Sequence, residues 1–419
     1  MRLFARGLSA AAMVLAPLTV AATPAVAAIP LPTPAATLAP LRTHDDALAG
    51  QYIVTVQKAF DPSAMAQKSG VKPFFTYSSA LRGFAVSLNS RQLDAVRRMS
   101  GVEAVEENAT VTAYDLAHTT DTTVPSAPAA PAALAAPAAA PSAVRAAASD
   151  WGLDRIDQHN LPLDGQFNTV GKGAGATAYI MDTGIDFGHS EFGGRAVPGF
   201  DAIGDGRNGQ DCQGHGTHVA GTVGGATYGV APQANLVSVR VLDCDGSGSW
   251  AGVIAGFDWV AKNAKQPAVL NASLGGSSST AVNDAATALA DAGVLPVVAA
   301  GNSSADACNF SPAGAVGVFA VGASTSADQQ ASFSNFGKCL SLYAPGQNIT
   351  SAKLGGGSIA LDGTSMASPH AAGVALLYKA ANPTADAQTV GDWVASQGTE
   401  NVLSVTAGSP NRLLYTGGL

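Results

Sequence analysis

Short runs of consecutive apolar residues recur through the second part of the chain, at 178–181, 236–241, 268–271, 295–300 and 316–321, without clean alternation of polar and apolar positions. Between them lie stretches with helical spacing of apolar residues, 214–223, 251–263 and 282–292. Runs that are apolar on both faces and alternate with helices predict an α/β domain with a parallel sheet sandwiched by helices. Ligand sites in such sheets gather at the carboxyl ends of strands. Asp182 follows Tyr179-Ile180-Met181, and Asn302 follows Val298-Ala299-Ala300-Gly301, so both are expected on one crevice.

Residues 51–115 carry a different pattern. Positions 52–56 are strand-like, 61–69 form a short helix, and 83–88 alternate as a half-buried strand. Ser90 precedes Leu93, Val96 and Met99 on one helical face closed by Gly101, and 102–112 gives a last strand. With a weak strand near 74–77 the order is βαββαβ, a small ferredoxin-like α+β domain. Residues 29–48 are Pro/Ala-rich and too poor in large apolar side chains to pack. Residues 116–148 are nearly all Ala, Pro, Ser and Thr, the composition of an extended linker. The expected organisation is therefore a domain at 49–115, the linker at 116–148 and a larger domain at 149–419.

Arg2 and Arg6 precede a small apolar run at 14–20 and then Ala25-Val26-Ala27-Ala28, the pattern of a secretory signal peptide over residues 1–28. Pro17 and Pro24 interrupt a run already short for a membrane span. Export implies an extracellular, disulfide-permissive setting. The four cysteines, Cys212, Cys244, Cys308 and Cys339, have no Cys-x-x-Cys spacing and allow three pairings among which sequence does not choose. Only 12% of the 419 residues are charged and 47 are glycine, which marks a compact, turn-rich chain and not a disordered one. A net charge of −8 without basic clusters argues against nucleic acid as a partner. A monomer that leaves the membrane after signal removal is expected.

The sharpest chemical signal is Gly363-Thr364-Ser365-Met366-Ala367-Ser368-Pro369-His370, which opens an apolar helical run. A hydroxyl there lies among free N–H groups at the positive end of a helix dipole, where an attacking oxygen and a developing oxyanion are both favoured. Seen alone, such a serine is a helix cap. As a nucleophile it needs a base, and the base needs a third group to fix its tautomer. Gly214-His215-Gly216-Thr217-His218 opens another helix, and Asp182-Thr183-Gly184 ends a strand. Taken with Asn302, these segments resemble the subtilisin-like serine peptidases in the order Asp, His, Asn, Ser. The resemblance is to the proteinase K type, and aqualysin in particular. Residues 151–158 and 409–415 bracket it, so it covers nearly all of 149–419.

That resemblance implies roles. Ser365 is the expected nucleophile, His215 the general base and then acid, and Asp182 the residue that orients the imidazole. The Asn302 side-chain amide and the Ser365 N–H are expected to hold the oxyanion. Substrate edges fall at Ser247, Gly248, Ser249 and Trp250 and at Ser273, Leu274, Gly275 and Gly276, with an extended peptide read by strand addition. Pocket walls from Gly275, Ala299, Gly301 and Thr364 carry no charge, so apolar or aromatic side chains are expected before the cut, with Trp250 in an apolar subsite further away. The resemblance also implies disulfides Cys212–Cys244 and Cys308–Cys339. It implies a structural calcium ion held by Asp154, Asp157, Gln158, Asp164 and the carbonyl of Gln166, with no cofactor for catalysis.

The line opening at Gln51 resembles the inhibitory propeptide of these enzymes. The small domain is then an intramolecular inhibitor and folding aid, with self-cleavage near 112–116 and trimming toward 148. His218, three residues after His215, raises a two-histidine metal site as a rival, but no His-Glu-x-x-His pattern accompanies it. His370 is expected to be packed or partly exposed. The expected activity is a secreted serine endopeptidase with protein and peptide substrates, made as a zymogen. A non-catalytic secreted binding protein on the same fold is the alternative, and an esterase a further one.

Overall fold

The computed structural model describes residues 38–113 and 146–419, so the expected signal peptide and nearly all of the expected linker lie outside the described residues. Among the described residues the central sheet has nine strands: seven parallel ones in the order Ala196–Asp201, Asn235–Arg240, Thr177–Asp182, Ala268–Ala272, Leu295–Ala299, Phe319–Ser324 and Leu342–Pro345, then Arg412–Leu413, parallel to the last of these, and Thr399–Glu400, antiparallel at the edge. Ala178 and Ile180 belong to one apolar core with the helices His215–Gly224 and Thr364–Ala381. Tyr179 and Met181 belong to the other, with Trp250–Asn263 and Thr280–Asp291. Burial on both faces is why these strands read as unbroken apolar runs. The strand expected at 316–321 starts at Phe319, because Gly317 takes φ +79° and turns the chain, leaving Val316 exposed. From Thr177–Asp182 the chain builds first to one side of the sheet and then to the other. The carboxyl end of that strand is thus the switch point of the sheet.

The small domain has the expected ferredoxin-like order, with Val102–Ala113, Ala47–Val56, Gly83–Ser87 and Phe75–Tyr77 antiparallel side by side. Asp61 caps the helix Pro62–Ser69, accepting from the Ala64 N–H at 2.7 Å. Asn89 and Gln92 form a capping box on Ser90–Arg97. Two features differ from the sequence reading. The strand Gly83–Ser87 is not half-buried. Phe84 and Val86 share a core with Val54, Met65 and Val96, while Ala85, Ile53 and Tyr77 join the core of the large domain. The packed region also begins before residue 49. Leu41–Arg42 pairs in parallel with Val105 and Glu106, and Ala39 is buried, its carbonyl taken by the Arg97 side chain at 2.9 Å. Backbone pairing and one arginine secure a segment that lacks apolar bulk.

The last strand of the small domain runs on into the large one. Thr110, Val111 and Thr112 lie antiparallel to Ser249, Gly248 and Ser247, and on the other side Thr112 and Ala113 face Gly275 and Leu274. Disulfides join Cys212 to Cys244 and Cys308 to Cys339. Among the described residues no helix is long and apolar enough to cross a membrane.

Candidate active site

The strand Thr177–Asp182 ends where Gly184 takes φ +117°, a position at which a Cβ would lie 2.7 Å from the Asp211 nitrogen and 2.8 Å from the Gly209 carbonyl. Asp182 is fully buried there. Its Oδ1 meets Nδ1 of His215 at 2.8 Å and accepts from the Thr183 N–H at 2.7 Å. The approach depends on Gly216, where a Cβ would come within 2.2 Å of the Gly184 carbonyl and 3.1 Å of Asp182. Burial pushes the Asp182 pKa up. The imidazole and the Thr183 amide oppose the rise, and the nearby carboxylate of Asp211 adds to it.

Ser365 is the second residue of the helix Thr364–Ala381 and is fully buried. Gly363 before it takes φ +151°, which L side chains rarely adopt. The Thr364 N–H and hydroxyl both donate to Oδ1 of Asn302, at 2.9 and 2.8 Å, and the Thr364 hydroxyl accepts from the Gly301 N–H at 3.0 Å. Because those two donors fix the oxygen of the Asn302 amide, its nitrogen is on the branch away from Thr364. The tight bend beside it is taken by Gly301, at φ +103°. The Ser365 hydroxyl donates to the carbonyl of Ser273 at 3.0 Å, and the Ser273 hydroxyl donates to the carbonyl of Ser365 at 2.9 Å. Asn271 donates to the Ser273 hydroxyl and accepts from Ser368, at 2.9 and 2.7 Å.

The two expected substrate edges flank a segment of the chain itself. Ser247 and Gly248 pair with Thr112 and Val111, Leu274 and Gly275 pair with Ala113 and Thr112, and the Ala113 N–H donates to the Gly246 carbonyl at 3.0 Å. Trp250, Ser273, Leu274, Ala299 and Thr364 are fully buried, and Gly301 is buried as well. Trp250 shares an apolar cluster with Ala109 and Val111. Gly276 keeps that space open, since a Cβ there would lie 3.0 Å from the indole and 3.2 Å from the Thr110 carbonyl.

Sequence reasoning missed the polar anchors of this arrangement. Glu106 accepts from the Ser279 hydroxyl at 2.5 Å and the Ala281 N–H at 3.2 Å, at the start of Thr280–Asp291. Asn108 accepts from the Ala251 N–H at 2.9 Å, at the start of Trp250–Asn263. Asp258 in turn accepts from the N–H groups of Ser78, Ser79 and Ala80 at 2.9, 2.6 and 2.8 Å. The available signal was period two: Glu106 and Asn108 continue the face of the strand that Val102 and Ala104 begin, where apolar residues are expected.

His218 does not form a metal site with His215. Its Nε2 lies 3.0 and 3.1 Å from the carbonyls of Ile349 and Ile359, and burial, reinforced by His215, lowers its pKa to about 3. His370 is packed, with Nδ1 2.8 Å from the Met366 carbonyl and a pKa that burial lowers to about 4.

Asp154, Asp157, Gln158, Asp164 and Gln166 gather in one loop. Asp154 accepts from the Gly165 N–H, Asp157 from Asn168, Gln158 from Asp164 and Asp164 from Gln166, at 2.8, 2.8, 3.2 and 3.0 Å. Burial raises the pKa of Asp154 and Asp157, and the Asp164 carboxylate pushes both further. The side-chain Oε1 of Gln166 is buried with no hydrogen-bond partner. Crowded carboxylates that raise one another's pKa fit a hard cation. Among the described residues no group of three or more His, Cys, Asp or Glu is arranged to hold a metal, so such an ion would also draw on the glutamine and backbone oxygens.

Comparison with known proteins places this geometry in context. Residues 173–413 match the subtilase family and residues 44–114 match peptidase inhibitor I9. The extracellular serine proteinase of Thermus sp. (strain Rt41A) is 43% identical over 400 residues, covering 88% of this chain and 90% of the relative. Alkaline serine exoprotease A of Vibrio alginolyticus is 41% identical over 394 residues, covering 90% of this chain and 69% of the relative. The crystal structure of a cold-adapted subtilisin-like serine proteinase matches with a TM-score of 0.63 at 52% identity, over 64% of this chain and 97% of that one.

Proposed function

Because the chain belongs to the subtilase family and carries an inhibitor I9 domain ahead of its peptidase domain, we propose that it is a secreted serine endopeptidase made as an autoprocessed zymogen. Ser365 attacks the peptide carbonyl to give an acyl-enzyme that water resolves. His215 takes the serine proton and returns it to the leaving amine, and Asp182 holds the imidazole and stabilises the imidazolium. The Asn302 side-chain amide and the Ser365 N–H receive the oxyanion, each such donor being worth about 3 to 4 kcal/mol. No cofactor takes part in this scheme. A calcium ion at the Asp154, Asp157, Asp164 loop is assigned a structural role only. Export follows from the signal pattern of residues 1–28 and agrees with the extracellular relative.

The observation that carries the reading is the added strand at 110–113. It lies where a substrate would, between Ser247–Ser249 and Leu274–Gly275. Ala113 faces Leu274 and Thr112 faces Gly275, next to Ser273, whose carbonyl accepts from the Ser365 hydroxyl. A strand that ends beside the nucleophile supports self-cleavage near 112–116, with trimming toward 148.

Fluorophosphonate labelling tests the reading directly. Ser365 should be labelled, and Ser365→Ala should leave the chain uncleaved and inactive. Absence of labelling in a folded, processed chain would favour the non-catalytic binding protein. Peptides with Phe, Leu or Ala before the cut should outrun those with Lys or Arg; the reverse order would refute the pocket assignment. Turnover of short esters with no cleavage of casein would favour the esterase.

A further inference from the structure

Asp211 has no part in the scheme above, yet its carboxylate, only 3% exposed, accepts five hydrogen bonds. Oδ1 accepts from the Thr183 hydroxyl, the Gln213 N–H and the Gly214 N–H, at 2.9, 2.9 and 3.0 Å. Oδ2 accepts from the N–H and hydroxyl of Thr217, at 2.9 and 2.5 Å. The helix His215–Gly224 starts after Gly214, which has no side chain to cap it. Its first three N–H groups are bound all the same: His215 to Oε1 of Gln213 at 2.7 Å, Gly216 to the Thr183 hydroxyl at 2.9 Å, and Thr217 to Asp211. Thr183 is the residue after Asp182. A single carboxylate thus ties the strand end that carries Asp182 to the helix start that carries His215, and those two side chains meet at 2.8 Å.

We propose that Asp211 is a positioning residue for the reaction, holding His215 against Asp182 through Thr183 and the helix start, and favouring the imidazolium as a second buried negative charge. The inference rests on the triad reading above. Charge-assisted hydrogen bonds of this kind are strong and directional, and replacing a buried carboxylate by a neutral group changes the field as well as the geometry. Among the described residues, Asp182 from the strand bonds His215, Asp211 from the preceding loop acts on Asp182, and His218 from the same helix feels His215. His218 stays neutral because of its burial.

Asp211→Asn keeps the volume, removes the charge and turns one amide NH2 toward groups that now donate to the carboxylate. In the mature enzyme kcat should fall about tenfold or more with KM within about twofold. The acid limb of kcat/KM should move to lower pH by about half a unit or more, because the imidazolium loses a favourable partner. Thr183→Val removes the bridging hydroxyl and keeps the charge, so kcat should fall with the acid limb in place, and Thr183→Ser should restore it. Wild-type kcat with an unmoved limb in Asp211→Asn would overturn the proposal. So would wild-type kcat in Thr183→Val, which decides the matter if Asp211→Asn is not recovered folded. Ser365→Ala, run alongside, separates the two readings. Activity there would refute the triad itself, whereas its loss together with an unaffected Asp211→Asn would refute only the role of Asp211.

Discussion

Ser273 and Ser365 clasp each other, the hydroxyl of each donating to the carbonyl of the other at 2.9 and 3.0 Å. The reason lies four residues further along the helix. Pro369 has no N–H to offer the Ser365 carbonyl, and the Ser273 hydroxyl occupies it instead. The same contact fixes the serine between the strand edge and the helix start.

Ser273→Ala should therefore leave a buried carbonyl without its donor and lower the unfolding free energy by about 1 to 3 kcal/mol. Pro369→Ala restores an N–H at the position that would serve that carbonyl. In the double variant the cost of losing the Ser273 hydroxyl should shrink, as read from denaturant midpoints in a double-mutant cycle. Strict additivity would show that the hydroxyl does not substitute for the missing N–H.

Arg240 is fully buried and bonds Asp205 at 2.6 and 2.9 Å and Asp201 at 3.2 Å. The Asp205 carboxyl is lowered to about 2, chiefly by its hydrogen bonds from Arg240. Burial pushes Asp201 up, but the Gly209 and Ile203 amides and Arg240 outweigh it and the net direction is down. Folded values below the unfolded 3.8 mean that this stabilisation is fully present above about pH 4 and is lost as pH falls toward about 2. Asp205→Asn should flatten the fall of the urea midpoint over that window. Curves that stay parallel to wild type would rule out the linkage.

Glu106 of the small domain reaches across to the start of Thr280–Asp291, with His44 at 3.1 Å and Arg42 at 3.7 Å behind it. Charge-assisted bonds to a helix N-terminus contribute about 1.5 to 3 kcal/mol. Glu106→Ala should shorten the life of the cleaved, still-bound inhibitor about tenfold or more, seen as a shorter lag before full activity. Glu106→Gln, which keeps one acceptor oxygen, should fall between. An unchanged lag in Glu106→Ala would mean that the other contacts, those of Asn108, Asp258, the paired strand and the apolar cluster about Trp250, set the release rate.

Much of this was legible along the chain because the informative features are local. Both-face burial left its mark as apolar runs in Thr177–Asp182 and Leu295–Ala299, and glycines announced the ends that hold Asp182, His215 and Ser365. Asp211 and Asp258 were not legible, and Glu106 was legible only as a polar position on a buried strand face. Their partners are backbone N–H groups or hydroxyls brought up by the fold, in the case of Asp258 and Ser78 from 180 residues away, and a backbone N–H has no sequence signature. The second buried face of Gly83–Ser87 was hidden for a similar reason, since only docking on the large domain covers Ala85.

The loop of Asp154, Asp157 and Asp164 yields a pH-dependent prediction. Burial and mutual repulsion raise the pKa of Asp154 and Asp157, so without a counter-ion their ionisation costs stability. That cost is absent below the unfolded value of 3.8 and grows as pH rises through the elevated folded values. A bound calcium ion would remove it by supplying the missing positive charge. The thermal midpoint should therefore rise on adding calcium to metal-stripped protein at pH 7 to 8, and the gain should shrink toward about pH 4 as the carboxylates protonate. Asp157→Asn should lose most of the calcium-dependent gain at pH 7 to 8 while being less destabilised than wild type by stripping the metal. A midpoint that ignores calcium at every pH would remove the ion from this loop and leave the raised carboxylates as an uncompensated feature of the fold.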